Sequence, residues 1–183
     1  MDTALLIIDI QNDYFPGGAM ELVGSDAAAE SAALVLDAFR AQKQHIVHVQ
    51  HLSTRPGATF FLPDTRGAEI HERVAPREGE TVIRKHYPNA FRETTLLEHL
   101  RSNDIGRLVI AGMMTQMCID TTTRAAADLG FECVLVHDAC ATRDLSFGGR
   151  TVPAAEVQTA FVAALSGIFA KVQSAQAVAS GAS

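Results

Sequence analysis

The chain has 183 residues, which fits one domain with a core large enough to be stable alone. With 48% hydrophobic and 20% charged residues the balance is that of a globular protein, and a formal net charge of −6 without a Lys/Arg cluster argues against a nucleic-acid partner. No apolar run approaches the ~20 residues of a bilayer-spanning helix, so no membrane partner is expected.

The opening MDTALLIIDI lacks the basic start and small-residue cleavage site of a signal peptide. Cys118, Cys133 and Cys140 form no CxxC pair and no even disulfide framework, which fits a reducing compartment. A soluble, cytoplasmic protein is the expectation.

In chain order, ALLIID (4–9) predicts a strand, and residues 25–41 predict a helix with Leu34, Val35, Ala38 and Phe39 at helical spacing and Ser25 or Asp26 as its cap. HIVHVQH (45–51) predicts a second strand. Residues 52–80 are rich in Pro, Gly and charge, and a connection that long suggests a lid or binding loop. TVIRKH (81–86) is a weaker strand and 94–103 a helix. RLVIAGM (107–113), a helix over 116–129 and ECVLVHDA (132–139) follow. A late helix near 153–166 carries Val157, Phe161, Val162 and Leu165 on one face, and AKVQSA (170–175) reads as a last strand. The domain is expected to span 1–176, with a flexible tail over 177–183.

The strongest strands are near-continuously apolar, the mark of strands covered on both faces. Alternation with helices predicts a three-layer α/β/α fold with a mostly parallel, five- or six-stranded, Rossmann-like doubly wound sheet. Such sheets bind ligands outside the carboxyl ends of their strands. There the sequence places Asp9, His51, then Lys85 with His86, and the turn carrying Cys118.

Each residue alone has a plain structural reading: Asp9 as a turn cap, Lys85 as a solvated lysine, Cys118 as a small core hydrophobe. Cys133 and Cys140 read as packing residues, and His45, His48, His71, His99 and His137 carry no metal-like spacing. Together, Asp9, Lys85 and Cys118 make a mechanism: lysine and helix N-terminus favour a thiolate, and the aspartate takes the thiol proton. Backbone N–H groups around MMTQMC are natural oxyanion donors.

LLIIDIQNDYFPGG (5–18), Lys85 before HYPNAF, AGMMTQMCIDTTTRAAADLGF (111–131) and HDACATRD resemble, in that order, the isochorismatase-like cysteine hydrolases. That superfamily includes nicotinamidases, N-carbamoylsarcosine amidases, ureidoacrylate amidohydrolases and isochorismatases. The resemblance implies an Asp9–Lys85–Cys118 triad, a cis peptide at Met113–Met114, and an oxyanion hole from the N–H groups of Met114 and Cys118. It implies pocket walls at Gln11, Asn12 and Tyr14. Phe60, Phe61, Tyr87 and Phe91, in the long loop and after Lys85, are candidates for the pocket roof. A cysteine nucleophile favours amide or ureide hydrolysis of a small molecule over vinyl-ether cleavage.

Nicotinamidases carry an Asp-x-His metal motif after the second strand; here His51 and Ser53 stand at those places, so no metal and no other cofactor is expected. A homo-oligomer, dimer or tetramer, is also implied. The alternatives are an ether or ester hydrolase with Cys118 as bystander, a nucleotide or flavin module, and a redox-sensing thiol protein. Neither GxGxxG nor GxxxxGK[ST] occurs to support the nucleotide module.

Overall fold

The computed structural model describes residues 2–181. Its centre is a six-stranded sheet built from β1 (Asp2–Ile8), β2 (His45–His51), β3 (Thr81–Lys85), β4 (Ile105–Met113), β5 (Glu132–Ala141) and β8 (Lys171–Gln173). The spatial order is β3-β2-β1-β4-β5-β8, with every neighbouring pair parallel. β6 (Leu145–Phe147) and β7 (Arg150–Val152) form a separate antiparallel hairpin. The sequence reading took neither as a strand.

Alternation within the apolar runs fixes the two faces. Leu5 and Ile7 of β1, Val109 and Ala111 of β4, and Val134 and Val136 of β5 join one core with α1 (Ser25–Ala41) and α5 (Ala175–Ala179). Ala4, Leu6 and Ile8, with Leu108, Ile110, Cys133 and Leu135, join the other. That second core includes Leu96 and Leu100 of α2 (Leu96–Ser102), Ala126 of α3 (Asp120–Asp128) and Leu165 of α4 (Ala154–Leu165). The layers are therefore α/β/α, as the alternating pattern predicts.

The expected boundaries hold for β2 and α1, and differ elsewhere for identifiable reasons. α1 is preceded by Gly24 in a left-handed conformation (φ 75°), and neither Ser25 nor Asp26 caps it through its side chain. The segment expected as a flexible tail is helical through Ala179, because the Ser174 side chain accepts from the Ala177 N–H and Val178 packs against the α1-side core. Ala182 and Ser183 lie outside the described residues. Among the described residues, no helix is long and apolar enough to cross a membrane.

Two features hold the strand ends that matter below. Gly112, at φ 141°, brings β4 so close to β1 that an added Cβ would lie 1.9 Å from the Ile8 carbonyl oxygen. At the start of β3, Glu80 binds Arg40 of α1 through both oxygens (2.7 and 2.8 Å) and meets His48 Nε2 of β2 at 2.9 Å. Arg40 holds the Glu80 carboxyl at about 2 against the opposing effect of burial, with the Arg77 N–H and His48 adding to it.

Two tests follow. Gly112→Ala should destabilise by about 3 kcal/mol or more, since backbone rather than a flexible side chain must give way, lowering Tm by roughly 6–12 °C. A melt within about 2 °C of the parent would refute the close approach. Glu80, with its pKa lowered on folding, contributes stability above its usual value of 4.5 that is lost as pH falls towards about 2. Melts of the parent and Glu80→Gln should therefore differ at pH 7 and converge on acidification, and a constant gap would contradict that assignment.

Candidate active site

The sheet order reverses direction between β1 and β4, and the crevice outside their carboxyl ends is the natural ligand site of a doubly wound sheet. Asp9 follows β1 at φ 53°, its N–H bound to the Val49 carbonyl at 2.9 Å. On the other side of the crevice, β4 runs through a cis Met113–Met114 peptide into a π-helical turn, Thr115–Ile119, that carries Cys118. The N–H groups of Met117 and Ile119 both bond the Met114 carbonyl, closing that turn. Lys85 ends β3, with β2 lying between it and β1. Only a long side chain can cross β2 to reach Asp9, because neighbouring strands are ~4.8 Å apart.

Lys85 makes that crossing wholly buried. Its Nζ lies 2.6 Å from Asp9 Oδ2, 2.9 Å from His51 Nδ1, 3.1 Å from the Tyr87 carbonyl oxygen and 3.2 Å from Cys118 Sγ. Burial opposes the ammonium, yet the Asp9 carboxylate and Cys118 outweigh it and raise the lysine pKa. For Cys118 the balance goes the other way. Burial, then the charge of Asp9, raise the thiol pKa beyond what Lys85 can offset. This corrects the expectation of a resting thiolate: the helix-terminus effect of a partly exposed cysteine does not carry over to a desolvated one beside a carboxylate. The resting constellation is carboxylate, ammonium and neutral thiol. Asp9 Oδ1 has no hydrogen-bond partner among the described residues.

Ligand atoms of Asp9, His51 and Cys118 lie within 4.8 Å of one another, a spacing that a metal ion could bridge. The Lys85 ammonium is within 3.2 Å of all three and already supplies the positive charge such a cluster attracts. His86 takes no part in this group; its Nδ1 meets the Leu52 carbonyl at 2.8 Å.

Cys118 opens onto a cleft of about 310 Å³, the size of a small-molecule site. Tyr14, Phe60 and Tyr87, expected in the pocket, and Met114, expected as an oxyanion donor, line it. Tyr14 and Phe60 stand with ring centroids 6.0 Å apart, and the Arg92 guanidinium lies 3.7 Å above the Tyr87 ring. Burial raises the Tyr14 phenol pKa, and its neighbours Cys118 and Asp9 add to the rise.

Four residues expected in the wall or roof lie elsewhere. Gln11 is fully buried and clamps the end of β2, donating to the His51 carbonyl (2.9 Å) and the Ala68 carbonyl (2.8 Å) and accepting from the His51 N–H (2.7 Å). Phe61 is buried behind the lining, 4.5 Å from the Tyr14 ring, with its N–H donated to Asp13. Phe91 stacks on Phe131 in the other core. Asn12 also faces away, donating to the Arg66 carbonyl. Of the long 52–80 connection, Ser53, Thr54, Arg55 and Phe60 reach the cleft.

Sequence reasoning placed His51 at the carboxyl edge but gave it no role in the site beyond its place in a metal motif. Its signal was the position itself: the last residue of β2, in register with Lys85. Cys133 and Cys140 are pushed up by burial to about 11 and about 12, as suits packing residues.

The sequence and the fold have counterparts. The isochorismatase domain family matches residues 3–177. An isochorismatase family protein of Bacillus subtilis, YddQ, is 49% identical over 177 residues, covering 97% of this chain and 98% of its own. A maleamate amidohydrolase of Pseudomonas putida is 30% identical over 154 residues, 76% of this chain and 72% of its own. A solved isochorismatase-type hydrolase structure from Oleispira antarctica superposes with a TM-score of 0.95 at 54% identity, covering 98% of this chain and 97% of the other. With the family match spanning nearly the whole chain and the fold matching throughout, the protein belongs to the isochorismatase family and is a hydrolase.

Proposed function

We propose that the protein hydrolyses a C–N bond, amide or ureide, of a small molecule through a thioester on Cys118. One observation carries this reading: a single buried ammonium, Lys85 Nζ, stands 2.6 Å from an aspartate and 3.2 Å from a thiol that opens onto a cleft. The amidohydrolase among its relatives supports the bond class.

Asp9 takes the Sγ proton as the sulfur attacks the carbonyl carbon, so thiolate forms only as it is consumed. The Met114 and Cys118 N–H groups receive the tetrahedral oxyanion. The intermediate collapses, the C–N bond breaks, and the Asp9 proton passes to the departing nitrogen. Water, giving its proton to Asp9, then attacks the thioester, and the thiol leaves reprotonated with the acid released. Lys85, ion-paired with Asp9, offsets the negative charge that passes to sulfur.

Release of ammonia or amine from a panel of amides, ureides and carbamoyl compounds tests this. Activity should vanish in Cys118→Ala and after iodoacetamide, and Asp9→Asn should lower kcat by ~10²–10⁴. Turnover that survives alkylation of Cys118 would return the thiol to packing and favour an ether or ester hydrolase.

A further inference from the structure

The lysine at the centre of the site has three N–H bonds and four neighbours that accept them. Which three it serves decides where the ammonium stands. Two of the four, the Tyr87 carbonyl and His51, take no part in the reaction above, and of these only His51 presents a side chain. It is the last residue of β2, the strand that the Lys85 side chain must cross, and it is paired in register with Lys85. Gln11 grips its backbone on both sides, through the N–H and the carbonyl.

The ring's protonation follows from what it faces. An ammonium has only protons to offer, so Nδ1, 2.9 Å from Nζ, must accept, and the ring proton sits on Nε2. Burial lowers the His51 pKa to about 4; the Asp9 charge opposes this, while Lys85, His86 and Arg55 add to it. The ring is therefore neutral at physiological pH. Its 4.0 Å separation from Asp9 Oδ2 is too long for a hydrogen bond, so the link from histidine to aspartate runs through the lysine.

We propose that His51 is a positioning residue whose Nδ1 fixes the Lys85 ammonium between Asp9 and Cys118. This inference rests on the cysteine-nucleophile reading above. Without that acceptor the ammonium turns towards water in the cleft, and the sulfur loses the nearby positive charge that stabilises its thiolate.

The pH profile of Cys118 alkylation by iodoacetamide, read by mass on the full chain, tests the idea without a substrate. Each variant's melt is recorded alongside. His51→Leu should slow alkylation about tenfold at neutral pH and move the profile up by about one pH unit. His51→Asn, whose amide oxygen falls where Nδ1 stood, should keep the parent profile, whereas His51→Gln, whose amide lies further out, should not. The Asn and Gln pair carries the test even if the Leu variant does not fold. A Leu profile that overlays the parent or moves to lower pH would overturn the proposal, as would Asn failing or Gln succeeding. A parent Cys118 inert at every pH would overturn the nucleophile reading itself, and this inference with it.

Discussion

A lysine without water must have its charge answered, and this constraint organises the carboxyl edge of the sheet. An unpaired ammonium in a protein interior costs several kcal/mol, enough to decide whether the fold forms. Asp9 answers it at 2.6 Å, and Asp9 is itself fully buried, so neither charge is tolerable alone. Removing one partner would strand the other, and this makes the pair a structural commitment as well as a chemical one. The cost is accepted at a place where the two charges can act on a third group, the Cys118 thiol.

Meeting that constraint demands a particular sheet. Asp9 and Cys118 follow β1 and β4, Lys85 ends β3, and the order that sets β1 beside β4 with β3 two places from β1 brings the three together. Strands covered on both faces keep their ends from moving, since each inward residue is packed by a helix layer. Local devices then trim the ends. Gly112 lets β4 lie against Ile8, Gln11 ties β2 to the chain near Ala68, and Glu80 anchors the approach to β3.

This division explains what could be read without coordinates. The strands were legible because their apolar runs are long, and Asp9, Lys85 and Cys118 were legible only together, as an acid, a lysine and a thiol that three separate segments bring to one edge of the sheet. Gln11, Phe61 and Phe91 were misassigned for a common reason. Adjacency to a motif says a residue is near the site, not which side of the backbone it faces. The β6–β7 hairpin and α5 are too short for periodicity to register, and α5 is held by the Val178 contact rather than by propensity. The thiol's raised pKa was missed because a sequence shows a turn but not its desolvation.

That raised pKa bears on how a buried cysteine can be both stable and reactive. A resting thiolate beside the Asp9 carboxylate would set two negative charges against one ammonium in a desolvated site, and burial disfavours each of them. A neutral thiol avoids the imbalance: one carboxylate faces one ammonium. Under the proposed reaction, moving the proton from Sγ to Asp9 leaves the total charge unchanged and only exchanges which atom faces Lys85 in its charged form. The ammonium lies 2.6 Å from the carboxylate and 3.2 Å from the sulfur, so the exchange asks little movement of it. A lysine held still would therefore serve both states, whereas one free to follow the charge would have to reorganise at each step.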